Sequence, residues 1–236
     1  MNFLKQSNTI LNSVKTNPFK LDLFKNKNIL ITGGGTGLGK QMAKTYLELG
    51  ANVLIASRKS EVLEKTCNEL GNNNINYKVL NVKEHESVKE FVNSLETTPD
   101  VVINNAAGNF ICPSKDLTYN GWNSILDIVL KGTMDLTLQL GQRMINENKT
   151  GNFLNISTTY ANTGSGFVLP SAVAKAGCDN ITKSLGAEWG KYGIRINSIA
   201  PGPIYTEGAF SRLDPGGQFR KKAEERLPMG RLGETE

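Results

Sequence analysis

Apolar residues recur along the chain in two alternating rhythms. Asn28–Thr32 (NILIT), Asn52–Ser57 (NVLIAS), Tyr77–Val82, Val101–Asn104, Asn152–Ser157 and Ile194–Ile199 are short runs, apolar at consecutive positions. Such runs predict parallel strands buried on both faces. Between them lie longer segments whose apolar residues return every three or four positions: Gly37–Gly50, Ser60–Leu70, His85–Leu95, Trp122–Asn146 and Ser171–Trp189. These predict helices, the first with Leu38, Met42, Ala43, Tyr46 and Leu47 on its inner face and the second capped by Ser60. Strict alternation of the two kinds predicts an α/β fold, a Rossmann-like doubly wound parallel sheet with helices on both faces.

Composition narrows the picture. A chain of 236 residues with 39% hydrophobic content suits one large domain, expected over residues 25–236. Residues 1–24 read as an N-terminal arm. Its Lys5, Lys15 and Lys20, with no acid through residue 21, resemble an organelle transit peptide without arginine; a disordered lysine-bearing arm fits equally. Cys67, Cys112 and Cys178 are far apart and His85 is the only histidine, so no disulfide framework, zinc site or other metal centre is expected. No apolar stretch is long enough to insert in a membrane. The net charge of +5 comes without interleaved basic and aromatic residues, which argues against nucleic acid and suits a phosphorylated ligand.

The chemistry begins after the first strand. Thr32-Gly33-Gly34-Gly35-Thr36-Gly37-Leu38-Gly39 lies at a strand–helix junction, where glycines admit a pyrophosphate close to the backbone and a helix N-terminus faces it. Gly33, Thr36, Gly37, Leu38 and Gly39 are therefore candidate cofactor contacts. Lys40 makes the segment resemble a nucleoside-triphosphate loop, but Gln41 stands where the magnesium-binding hydroxyl belongs. The second strand ends in Ser57-Arg58-Lys59, a hydroxyl and two cations where a carboxylate would select NAD. That pattern suits the 2′-phosphate of NADPH.

Three segments now carry a resemblance. The glycine pattern, Asn104-Asn105-Ala106-Ala107-Gly108 after the fourth strand, and Pro201-Gly202-Pro203-Ile204 after the sixth together resemble the short-chain dehydrogenase/reductase superfamily over residues 25–236. The resemblance implies that Asn105 flanks the cofactor and that Pro201, Gly202, Pro203 and Ile204 meet its nicotinamide end. It puts Asn81 and Val82 beside adenine, with Asn81 where the family commonly has Asp. Ordinary members use an Asn-Ser-Tyr-Lys tetrad. Here Lys175 remains, but Ser171 replaces the tyrosine, Thr158 the serine and Val129 the asparagine.

Longer matches, Asn104–Phe110, Tyr160–Lys175, Gly202–Pro215 and Gly230–Gly233, resemble the mitochondrial type of 2,4-dienoyl-CoA reductase. That resemblance implies reduction of a 2,4-dienoyl thioester to a 3-enoyl thioester in β-oxidation of unsaturated fatty acids. Tyr160 and Asn109 would donate to the thioester oxygen, Lys175 would hold the nicotinamide ribose, and Ser171 would bond near it. Phe110, Arg212 and Lys83 would contact the acyl-CoA. Tyr160 is expected on a loop. Asn109 also suits a left-handed turn, Phe110 the core, and Ser171 a helix cap. Residues 205–229, with Arg212, Arg220, Lys221, Lys222 and Arg226, suit a basic flap over the ligand, with Arg231 just beyond it. A homotetramer in the mitochondrial matrix is also implied. The pattern stops before the final helix, edge strand and Asp-Gly-Gly turn of the family, so a sheet without its last edge strand is expected. Two other functions remain open: a carbonyl or 3-oxoacyl reductase, and a catalytically silent NADPH-binding protein.

Overall fold

The computed structural model describes residues 19–206, 208 and 218–235. Six parallel strands form one sheet in the order β3-β2-β1-β4-β5-β6. They are β1 (Asn28–Thr32), β2 (Asn52–Ser57), β3 (Ile75–Val79), β4 (Val101–Asn104), β5 (Gly151–Ile156) and β6 (Ile194–Ile199). The helices are α1 (Gly37–Glu48), α2 (Ser60–Leu70), α3 (His85–Asn93), α4 (Tyr119–Leu126), α5 (Gly132–Asn146), α6 (Tyr160–Thr163), α7 (Leu169–Trp189) and α8 (Gln218–Arg226).

Alternate residues of the inner strands β1, β2 and β4 serve opposite cores, which is why these strands are apolar at successive positions. Ile29, Ile31, Val53, Ile55 and Ile103 pack under α1 and α2, against Ala43, Leu47 and Leu63. Leu30, Val102 and Phe153 pack under α3 and α5, against Val88, Phe91, Leu136 and Leu140. The doubly wound architecture is as the alternation predicts.

Several boundaries move. The third strand spans Ile75–Val79, not Tyr77–Val82, because β2 offers no partner beyond Ser57, which pairs with Val79. The helix after β4 starts at Tyr119, where Thr118 Oγ1 accepts from Gly121 N at 3.1 Å. It runs on to Asn146 through a π-helical turn at Asp127–Lys131. Cys178 Sγ donates to the Val129 carbonyl in that turn at 3.2 Å. Ser60 opens α2 without capping it. Ser171 lies inside the first turn of α7 rather than capping it. Beyond β6, Ile204 bridges Gly233, with Gly233 N donating to Pro203 O at 2.9 Å.

A buried polar ladder joins β4, β5 and α7. Asn104 Nδ2 donates to Thr137 Oγ1 (2.9 Å) and to Asn155 Oδ1 (2.8 Å). Asn155 Nδ2 donates to Thr182 Oγ1 (2.8 Å), which donates to the Cys178 carbonyl (2.8 Å). Asn155→Ala would orphan one amide donor and open a small cavity. We expect a loss of about 2–4 kcal/mol, seen as a lower urea midpoint at unchanged m-value.

Candidate active site

The strand order reverses between β1 and β4, and the crevice beyond their carboxyl ends is where open α/β sheets bind ligands. Thr32 and Asn105 pin its floor. Thr32 Oγ1 accepts from Asn105 N and Ala106 N, both at 3.0 Å. Asn105 Nδ2 donates to the carbonyls of Thr32 (2.9 Å) and Gly33 (3.3 Å). Gly33 has φ +66°, a left-handed value that glycine adopts freely. Thr36 precedes α1 with no side-chain cap, and the first turn of α1 carries no acid. The helix end is thus left for an anion. A Cβ at Gly39 would lie 2.3 Å from the Gly33 carbonyl oxygen, so loop and helix come this close only with glycine there.

The other sequence candidates for the cofactor lie at or beyond the carboxyl ends of β2, β3 and β6. Ser57 is half-buried at the end of β2 and Arg58 is exposed beside it. Asn81 lies just past β3, its backbone N–H donating to Ser87 Oγ at 3.1 Å. Val82 packs against Gly132. Lys83 is half-buried, and its backbone N–H donates to Asn81 Oδ1 at 3.4 Å. Pro201, Gly202 and Pro203 follow β6. Thr206, which sequence reading passed over, packs against Gly37: a Cβ there would be 3.3 Å from Thr206 Cγ2. The signal for it was the hydroxyl closing the Pro201–Thr206 run.

On the β5 side, three distant residues meet. Asn109 Nδ2 donates to Tyr160 Oη at 3.3 Å, and Tyr160 Oη shares a 3.0 Å hydrogen bond with Ser171 Oγ. Phe110 N donates to Asn109 Oδ1 at 2.9 Å, which orients the amide with its NH2 end toward the phenol. Asn109 is not left-handed. Tyr160 opens a single helical turn, not a loop: Gly164 N donates to Tyr160 O at 2.9 Å, and Gly164 ends the turn at φ +69°. The Phe110 ring faces Gly121 and packs beside Ile125, Val129, Ala174 and Cys178.

Lys175 is only 5% exposed and donates to the Ile156 carbonyl. Burial lowers its pKa, opposed by the nearby Cys178 and Asp179. Asp179 Oδ2 accepts from Ser157 Oγ at 2.9 Å. Thr158 Oγ1, at the position of the usual serine, is buried without a partner among the described residues. Arg212 and residues 1–18 lie outside the described residues. Within the expected flap, Gln218–Arg226 is helical, Arg220 Nε pairs with Glu224 at 3.0 Å, and its guanidinium lies over Tyr205. Among the described residues, no helix is long and apolar enough to cross a membrane.

Residues 27–214 match the profile of the short chain dehydrogenase family. An uncharacterized oxidoreductase of Caenorhabditis elegans is 47% identical over 222 residues, 89% of this chain and 70% of its own. A protein of the same organism named probable 2,4-dienoyl-CoA reductase 3, (3E)-enoyl-CoA-producing, is 43% identical over 90% of this chain and 72% of its own. The crystal structure of a short chain dehydrogenase from Bacillus anthracis superposes with a TM-score of 0.80 at 40% identity, covering 89% of this chain and 84% of that one. With a glycine cradle at the switch point and a buried lysine on α7, the chain belongs to the short-chain dehydrogenase family of NAD(P)-binding oxidoreductases.

Proposed function

We propose that this protein reduces 2,4-dienoyl thioesters of coenzyme A to 3-enoyl thioesters with NADPH, in the β-oxidation of unsaturated fatty acids. The observation that carries the reading is Tyr160 Oη held between Asn109 Nδ2 and Ser171 Oγ, while the tyrosine position of the ordinary tetrad is serine.

A carbonyl reductase needs an acid at the oxygen of the carbon that takes the hydride. A dienoyl thioester takes it at the far end of the conjugated system, and charge moves to the remote thioester oxygen. Donors set away from the nicotinamide suit that demand. When Ser171 donates to Tyr160 Oη, the phenol proton is turned outward to the thioester oxygen. Asn109 spends one amide hydrogen on Tyr160 and offers its second to the same oxygen. Water supplies the α-carbon proton. Phe110, Lys83 and Arg212 serve the acyl-CoA.

The bound dinucleotide supplies the hydride. Gly33, Thr36, Gly37, Leu38 and Gly39 hold its pyrophosphate, Asn81 and Val82 its adenine, Asn105 and Pro201–Ile204 its nicotinamide end, and Lys175 its ribose. Ser57 and Arg58 receive the 2′-phosphate. Arg58→Ala is expected to weaken NADPH binding about tenfold while leaving NADH binding nearly unchanged, read by fluorescence titration. A homo-oligomer belongs to the same reading by family resemblance, and the lysine-bearing, acid-free residues 1–21 favour the mitochondrial matrix over the peroxisome or cytosol.

The test is loss of nicotinamide absorbance with NADPH and a short 2,4-dienoyl-CoA, run beside a 3-oxoacyl-CoA. We expect turnover of the first alone. Turnover of the second alone identifies a carbonyl reductase, and tight NADPH binding without turnover of either identifies a silent binder.

A further inference from the structure

Two segments flank the Asn109–Tyr160 pair, and a backbone hydrogen bond joins them: Cys112 N donates to Phe167 O at 2.8 Å. One follows β4 and carries Asn109, Phe110 and Ile111. The other runs from α6 to α7 and carries Phe167 and Leu169. Phe167 has φ +67°. Among the described residues the only other non-glycine positions with positive φ are Asn26 and Asn148, and asparagine tolerates that conformation. A bulky aromatic does not, and such outliers cluster where a ligand is handled. The strain brings Phe167 no burial: the residue is 58% exposed, and Ile111 (46%) and Leu169 (40%) on the same two segments are exposed as well. Folding alone gives no reason to hold a phenyl ring in water at a backbone cost.

We infer that Ile111, Phe167 and Leu169 form an apolar rim that takes the distal acyl chain of the thioester and sets preference for longer chains. The inference rests on the reading above that the site accepts acyl thioesters. Its geometry follows the chemistry. The two donors fix the thioester end, and the rim lies on the same two segments, continuous with them. Beyond the stiff conjugated carbons that reach the nicotinamide, the saturated chain is flexible and can turn back to these side chains, which lose exposed apolar surface on contact.

The probes are butyryl-CoA and decanoyl-CoA, unreactive saturated thioesters, titrated calorimetrically into the full chain saturated with NADP+. The unaltered protein should bind decanoyl-CoA about thirtyfold more tightly than butyryl-CoA, well below the gain from complete burial of the added methylenes. In Phe167→Gly, which suits the left-handed backbone, the ratio should fall to about threefold. Ile111→Ser should lower it in the same direction. A ratio near one in the unaltered protein overturns the inference, as does a ratio preserved in both variants. Equal weakening of both thioesters also overturns it, since that marks a structural role. A chain-length ratio lost in the variants, in a protein that turns over no dienoyl-CoA, keeps the rim and sinks the proposed reaction.

Discussion

Tyr160→Phe should reduce turnover of a 2,4-dienoyl-CoA by about 100- to 1,000-fold, the range seen when one oxyanion donor is removed. The substitution takes away a single oxygen and keeps the ring, so packing of the α6 turn is preserved. What goes is the atom on which Asn109 Nδ2 and Ser171 Oγ converge. The dinucleotide cradle between β1 and β4 is untouched, and NADPH affinity should stay within about twofold. Steady-state rates and a fluorescence titration on the same preparation separate the two effects. Unaltered turnover would remove Tyr160 from the reaction.

Gly39→Ala should damage the protein through the opposite half of the site. The added Cβ would fall 2.3 Å from the Gly33 carbonyl oxygen and 2.7 Å from Asn105 Nδ2. Neither is the free end of a flexible chain: one is backbone, and the other is engaged with the Thr32 and Gly33 carbonyls. The loop must shift away from α1. Overpacking of this kind costs about 1–3 kcal/mol, and misplacing the cradle should cut dinucleotide affinity by up to about a hundredfold. Gly166→Ala, with nothing within 4 Å of its added carbon, is the control and should leave melting temperature and affinity unchanged. An equally benign Gly39→Ala would refute the close approach of loop and helix.

The parts of the fold readable in advance were those with a repeated signal. β1, β2 and β4 fall where their apolar runs place them, because burial on both faces leaves no ambiguity of phase, and β6 does so on its buried Ile194 and Ile196. β3 is an edge strand whose Tyr77 and Val79 are exposed, so its pattern is diluted and its register drifts. α7 starts at Leu169 because Pro170 is tolerated in a first helical turn. The single turn of α6 is shorter than any period and could only be seen in place. The π-helical turn at Asp127–Lys131 is likewise invisible within a helix whose apolar stripe continues through it. Asn109 and Tyr160 were identifiable by resemblance alone. The role of Ser171 as the phenol's neighbour was not, since eleven residues and a change of element separate the two.

The amide-and-hydroxyl ladder from Asn104 through Asn155 to Thr182 has a bearing on how such a site can be retuned. Asn109 rides on the chain leaving β4, Tyr160 on the chain leaving β5, and Ser171 on α7, the same three elements that the ladder bolts together in the dry interior. In the proposed reaction it acts as a jig: the gap between the donors is set from beneath, by buried atoms of the ladder. Variation at the rim can therefore alter what enters while the spacing of the donors is inherited unchanged.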